Sequence, residues 1–273
     1  MRVVLGVDIG SSATKIVAMD ENKHIISSMR VSAADQVTAL FGSIGRLLYE
    51  NSIQLENVAA VMLTGMGASF AKGDIYGLQT RRVTEFEALG TGGLFLSGLS
   101  AAVVGSVGTG TALVEAADGQ FRHVGGSAVG GGTLVGLSSR LFGIDRVDVI
   151  AQMAEKGNLK NVDWSISELS SADMPTLPDY ATSSNLGKMK STATDNDVAL
   201  GLFNMIFQTV GTLAVFACRN TNLTDVVVTG SLATLDLAKI MLGQVGELYG
   251  IHFVIPENAA FATAIGAALL YFE

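Results

Sequence analysis

The chain has 273 residues, 49% of them hydrophobic and only 15% charged, which excludes a disordered polymer and leaves apolar mass for one large domain or two compact halves. Seventeen basic against 25 acidic residues give a net charge of −8, so neither a nucleic acid nor an anionic membrane is an expected partner, and an anionic ligand must be held by local dipoles. The single cysteine, Cys218, excludes an internal disulfide and points to a reducing, cytoplasmic setting, while 32 glycines against three prolines signal many tight turns.

The first thirty residues predict three strands, Val3–Val7, Thr14–Met19 and His24–Met29, joined by a small-residue turn after Asp8 and by the turn Asp20-Glu21-Asn22-Lys23. Two successive hairpins separate this opening from a Rossmann unit, whose first strand runs into a helix. A helix is predicted over 34–50, with Val37, Leu40, Phe41, Ile44, Leu47 and Leu48 on one face. Val58–Leu63 reads as a buried strand ending at Thr64-Gly65, and Glu85–Leu96 as the next helix.

The pattern then restarts. Ala101–Val104, Thr111–Glu115 and Arg122–Gly125 read as strands, followed by helices near 132–143 and 145–155. Residues 156–193 are polar, hold two prolines and the lone Trp164, and show no readable periodicity. The uncharged run Val198–Cys218 has the length of a membrane span. Asn204, Gln208, Thr209 and Thr212 recur in it at helical spacing and its flanks lack a basic bias, so a buried core or dimer helix over 195–218 is expected instead. Strand Asp225–Val228, helix 233–247, strand His252–Ile255 and helix 260–271 complete the chain. One topology thus occurs twice, with a boundary near residue 98.

Asp8-Ile9-Gly10-Ser11-Ser12-Ala13-Thr14-Lys15 places a carboxylate at a strand end before a turn of small residues. Backbone N–H groups in such a concavity suit phosphate oxygens, the carboxylate suits Mg²⁺, and Lys15 on the returning strand can neutralise charge on the same group. Asp and Gly also favour ordinary turns, so the motif alone leaves both readings open. Ser106-Val107-Gly108-Thr109-Gly110-Thr111 is a second such hairpin in the equivalent place of the second unit. A third cluster, running from Gly125 to Gly131-Gly132-Thr133, precedes a helix whose N-terminus suits an anion, and Thr229-Gly230-Ser231 adds a small-residue turn after a buried strand. Together these turns point to a nucleotide in a cleft between two halves. No Walker A sequence is present, and His24, His123 and His252 lie in no hydrolase elbow.

This set resembles the actin–hexokinase–Hsp70 nucleotide-binding superfamily and, within it, the type II pantothenate kinases. The likeness runs over nearly the whole chain and includes Val83-Thr84-Glu85-Phe86-Glu87-Ala88 and the tail Glu257–Ala267. It implies an α/β fold of duplicated ribonuclease-H-like domains with a nucleotide cleft between them. Residues 1–98 would be the phosphate-binding, catalytic-acid domain, and 99–273 the nucleotide-binding and dimerisation domain. It further implies a cytoplasmic homodimer that uses ATP and Mg²⁺ to phosphorylate pantothenate, the first step toward coenzyme A.

By that resemblance Glu85 is the catalytic acid. Asp8, Ile9, Gly10, Ser11, Ser12, Ala13, Thr14, Lys15, Thr109, Gly131, Gly132, Thr133 and Ser231 line the nucleotide, with Asp8 also holding the metal. Glu85 and Glu87 sit about 200° apart on a helix and cannot share one role; a helix N-terminal acid capped by Thr84 explains either of them structurally. Relatives place an arginine directly before the Val-Gly-Gly segment, where this chain has Arg122-His123, and both residues are assigned to the substrate. Neighbours on a strand point to opposite faces, so Arg122 cannot simply replace that arginine, and Arg81, Arg82 or Lys15 are other sources of positive charge. The altered position keeps a kinase for another hydroxylated metabolite, such as an amino sugar, as an alternative. An activator-type ATPase of the same fold is a third.

Overall fold

Buried β-branched and aliphatic residues build two five-stranded sheets of one design in the computed structural model, which describes residues 2–32, 35–169, 178 and 181–273. In the first half β1 (Val3–Ile9), β2 (Thr14–Asp20) and β3 (Ile25–Val31) form an antiparallel meander. Helix α1 (Gln36–Glu50), capped by Asp35, crosses to β4 (Val58–Thr64), which lies parallel to β1, and β5 (Thr80–Arg82) adds a short parallel edge. Helix α2 (Glu85–Ser97) leads to the second meander, β6 (Ala101–Val107), β7 (Thr111–Ala117) and β8 (Gln120–Ser127). Helices α3 (Gly131–Phe142) and α4 (Val147–Ala154) follow, then the small ribbon β9 (Trp164–Ser165) and β10 (Thr182–Ser184) with α5 (Ile166–Leu169) between its strands. The long α6 (Asp195–Thr221) precedes β11 (Asp225–Thr229), α7 (Asp236–Tyr249), β12 (His252–Val254) and α8 (Ala262–Leu269).

The sheet orders are β3-β2-β1-β4-β5 and β8-β7-β6-β11-β12, so each half repeats third, second, first, fourth, fifth. That is the duplicated topology expected from the sequence. Strand β5 and the ribbon were not expected, because Thr80-Arg81-Arg82 and the stretch around Trp164 carry no apolar alternation. Residue 34 of the helix expected over 34–50, and residues 170–177, 179 and 180 of the polar stretch, lie outside the described residues.

Each sheet is covered on both faces. Leu40, Ile44 and Leu47 of α1 pack on Val7 and Ile9 of the first sheet, and Phe203, Ile206 and Phe207 of α6 pack on Val103 and Val107 of the second. Among the described residues α6 is the one helix long and apolar enough to cross a membrane. Its burial under the second sheet accounts for that apolar character.

Between the sheets lie α2 and α8, exchanged relative to the chain. Ile265 and Leu269 of the last helix join Val4, Val17 and Met62 of the first sheet, whereas Leu89 of α2 joins Val104, Val114 and Val227 of the second. The two helices meet backbone to backbone. A Cβ at Gly92 would lie 1.9 Å from the Ala262 carbonyl oxygen, and one at Gly266 would lie 1.7 Å from that of Ala88. Glycine is required at both positions for this approach.

Candidate active site

The C-terminal ends of the parallel strands β1 and β4 and the start of α2 share one edge of the first sheet, the place where open α/β sheets hold ligands. Asp8 on β1 is in register with Lys15 on β2 and Thr64 on β4, and Arg30 on β3 is opposite Lys15. Side chains alternate along a strand. Val4, Val17 and Met62 face α8, so Asp8, Lys15 and Thr64, at even spacing from them, face the same way, into the gap between the sheets.

Charges in this gap feel one another. Burial, against the opposing pull of Lys15 and with a smaller push from the negative Glu85, brings the half-buried Asp8 carboxyl up to about 6. Burial lowers the Lys15 ammonium, with Asp8 opposing that shift and Arg30 adding to it. Glu85 has its side chain at the open mouth, yet surrounding protein raises its pKa, with Lys15 countering. Gly65, at φ +86°, keeps the Asp8 carboxylate uncovered: a Cβ there would lie 2.6 Å from Asp8 Oδ1. Gly230 is its counterpart after β11, at φ +95°, where a Cβ would lie 2.4 Å from the Val107 carbonyl oxygen.

The first turn of α2 separates its two acids. Thr84 Oγ1 donates to Glu87 Oε2 at 2.7 Å and accepts from the Glu87 N–H at 3.3 Å, closing a capping box. Glu87 therefore takes the structural role, and Glu85 is left outside the cap.

The two small-residue hairpins meet across the gap. The Gly10 N–H closes the first turn on the Ala13 carbonyl at 3.1 Å, and the Gly108 N–H closes the second on the Gly110 carbonyl at 2.9 Å. Ser11 Oγ lies 2.8 Å from Thr109 Oγ1, which donates to Ser12 Oγ at 3.5 Å. The start of α3 braces the second turn from behind: the N–H groups of Gly131 and Gly132 donate to the Gly108 and Thr109 carbonyls, both at 2.8 Å. Thr133 Oγ1 accepts from the Gly130 N–H at 3.2 Å and donates to the Ala128 carbonyl at 3.2 Å. These amides fix the position of Thr109 and do not point into open space. Ser231 is half-buried at the end of β11, beside the end of β6.

The structure thus gathers Asp8, Lys15 and Glu85 in one cluster, and Ser11, Ser12, Thr109, Gly131 and Gly132 in a second set, linked through the β1–β2 turn. Ile9 and Thr14 have buried side chains and offer only backbone to a ligand, as does Ala13. Arg122 is not brought to the cluster. It pairs with Glu115 at 2.6 Å, opposite it on β7, while the next residue, His123, stacks on Phe86 of α2 with ring centroids 4.6 Å apart. Arg82 donates to the Ala71 carbonyl and the Arg81 guanidinium lies 6.0 Å from the Tyr271 ring, so both are engaged elsewhere. Sequence reasoning missed Arg30 and Phe86. The hairpin register that sets Arg30 beside Lys15 was the one available signal.

The sequence profile of the Fumble family matches residues 101–241. The type II pantothenate kinase of Staphylococcus aureus (strain USA300) is 27% identical over 280 residues, covering 98% of this chain and 99% of that one. Among solved structures, the activator of 2-hydroxyisocaproyl-CoA dehydratase from Clostridium difficile with bound ADPNP superposes with a TM-score of 0.71 at 18% identity, covering 99% of this chain and 94% of that one. A ROK family glucokinase from Streptomyces griseus in complex with glucose and AMPPNP gives a TM-score of 0.62 at 14% identity, covering 98% of each chain. At these identities the structural likeness establishes the fold alone, the duplicated ribonuclease-H-like α/β fold of the actin–hexokinase type.

Proposed function

The chain belongs to the Fumble family, and from that premise we propose that it is a kinase that transfers the γ-phosphoryl group of ATP to the primary hydroxyl of pantothenate, giving 4'-phosphopantothenate for coenzyme A synthesis. The observation that carries this reading is the meeting of Ser11 and Thr109 across the gap, at 2.8 Å, beside the cluster of Asp8, Lys15 and Glu85. The relative with 27% identity over nearly its whole length supports the acceptor.

Phosphoryl transfer asks mainly for positioning and charge stabilisation. In this reading the backbone of Ser11, Ser12 and Ala13 and the Thr109 hydroxyl hold phosphate oxygens and Lys15 offsets their charge, while the Gly10 N–H, donated to the Ala13 carbonyl, keeps the turn closed. Asp8 suits a Mg²⁺ ion: it is a carboxylate kept uncovered by Gly65, and its raised pKa reflects a buried negative charge that a cation would relieve. Magnesium bound there would neutralise charge on the β- and γ-phosphate oxygens. Gly131, Gly132 and Thr133 serve indirectly, by fixing Thr109. Glu85, free of the cap and raised in pKa, accepts the hydrogen bond of the acceptor hydroxyl, orients its oxygen for in-line attack and takes its proton.

The test supplies ATP and Mg²⁺ with pantothenate, with N-acetylglucosamine or with no acceptor, and reads the product by mass spectrometry. Phosphorylated pantothenate is expected. Phosphorylation of the amino sugar alone, or ATP turnover independent of any acceptor, would replace this reading with the sugar kinase or the activator-type ATPase. Thr109→Val should raise the KM for MgATP about tenfold or more, because a hydrogen bond to a charged oxygen is worth roughly 1.5–3 kcal/mol. An unchanged KM would remove Thr109 from the nucleotide site.

A further inference from the structure

Two like charges face each other on the wall of the cleft. Lys15 on β2 and Arg30 on β3 are direct cross-strand neighbours, a pairing that is unfavourable unless an anion lies against it. Lys15 has a counter-charge in register on its other side, Asp8. Arg30 has none: it is exposed and, among the described residues, forms no ion pair with any carboxylate. Arg82 is held on the Ala71 carbonyl, Arg81 lies over Tyr271 and Arg122 pairs with Glu115. His123 stacks on Phe86 and presents no guanidinium fork.

We propose that Arg30 determines acceptor specificity by receiving the acceptor's carboxylate, a role that rests on the kinase reading above. A guanidinium holds a carboxylate in two parallel hydrogen bonds, which an imidazole cannot reproduce. Adjacent strands lie 4.7–4.9 Å apart, so from β1 to β3 the cleft wall spans about 10 Å. An extended acceptor with a hydroxyl at one end and a carboxylate at the other can run along that wall, the hydroxyl on the Asp8 side, where Glu85 is felt by Asp8 and Lys15, and the carboxylate beyond Lys15 at Arg30. In a chain of net charge −8, an unpaired arginine on the cleft face is also the local field that draws an anion there.

The experiment compares wild type, Arg30→Met and Arg30→Lys with two acceptors, pantothenate and its uncharged primary amide. Arg30→Met should raise the KM for pantothenate at least ~10-fold, while its kcat, and the KM for the amide, stay within about twofold of wild type. Arg30→Lys, which keeps the charge and loses the fork, should recover part of the loss. An unchanged KM for pantothenate in Arg30→Met, or an equal rise for acid and amide, overturns the assignment to Arg30 while the kinase reading stands. A wild type that phosphorylates neither acceptor overturns the kinase reading and this inference with it.

Discussion

Glu85→Gln should lower kcat at least ~10²-fold with pantothenate as acceptor, since a positioned acid–base group contributes 10²–10⁴-fold to proton transfer. The substitution leaves the helix intact, because Thr84 and Glu87 carry the cap without Glu85. The KM for MgATP should therefore change little, separating a chemical defect from a binding defect. The pH profile provides a second readout. Surrounding protein raises the Glu85 carboxyl above its ordinary value, and the base must be ionised to take a proton. Activity should hold above that raised pKa and fall as the pH drops through it, with an acid limb higher than an ordinary exposed glutamate would give. Full activity in Glu85→Gln would remove Glu85 from the chemistry.

Gly266→Ala is the second large effect. Its methyl group would sit 1.7 Å from the Ala88 carbonyl oxygen and 2.7 Å from the Gly92 nitrogen, both backbone atoms that no rotamer change can move. The two helices between the sheets must then separate, and a destabilisation of at least ~3 kcal/mol is expected, at the upper end of overpacking costs. For a chain of this size that is a fall of roughly 6–12 °C in Tm. Gly136→Ala is the control. Gly136 lies in α3 with nothing within 4 Å of an added Cβ, so the change should be neutral or stabilising by up to about 1 kcal/mol. Equal Tm values for the two variants would contradict the close contact of α2 and α8. Because α2 also carries Glu85 at its first turn, any loosening at Gly266 moves Glu85 relative to the Asp8 wall.

Much of this arrangement was legible before the structure. The two meanders declare themselves through β-branched runs broken by small-residue turns, and their equivalent positions in each half gave away the duplication. Asp8, Lys15 and Thr109 drew attention because small-residue hairpins recur at equivalent positions of the two halves, although each turn alone also suits an ordinary structural role. Other features depend on contacts that no local pattern encodes. Gly131 and Gly132 read as a helix N-terminus open to an anion, but their amides close on the turn at Gly108 and Thr109, which lies more than twenty residues earlier. Gly92 and Gly266 are each the condition for the other's approach, a contact between residues far apart in the chain. Strand β5 is polar and exists through its pairing with β4. Arg30 escaped notice because its significance lies in the register with Lys15 and in the engagement of Arg81, Arg82 and Arg122 elsewhere.

A crystal structure of the protein with Mg²⁺ and a non-hydrolysable ATP analogue tests the central claim most directly. The β- and γ-phosphates are predicted to lie between the β1–β2 and β6–β7 turns, within hydrogen-bond reach of both Ser11 and Thr109, with the Asp8 carboxylate on the metal side and Glu85 facing the open side. A nucleotide whose phosphates touch only one of the two turns, or that binds away from Asp8, would contradict it.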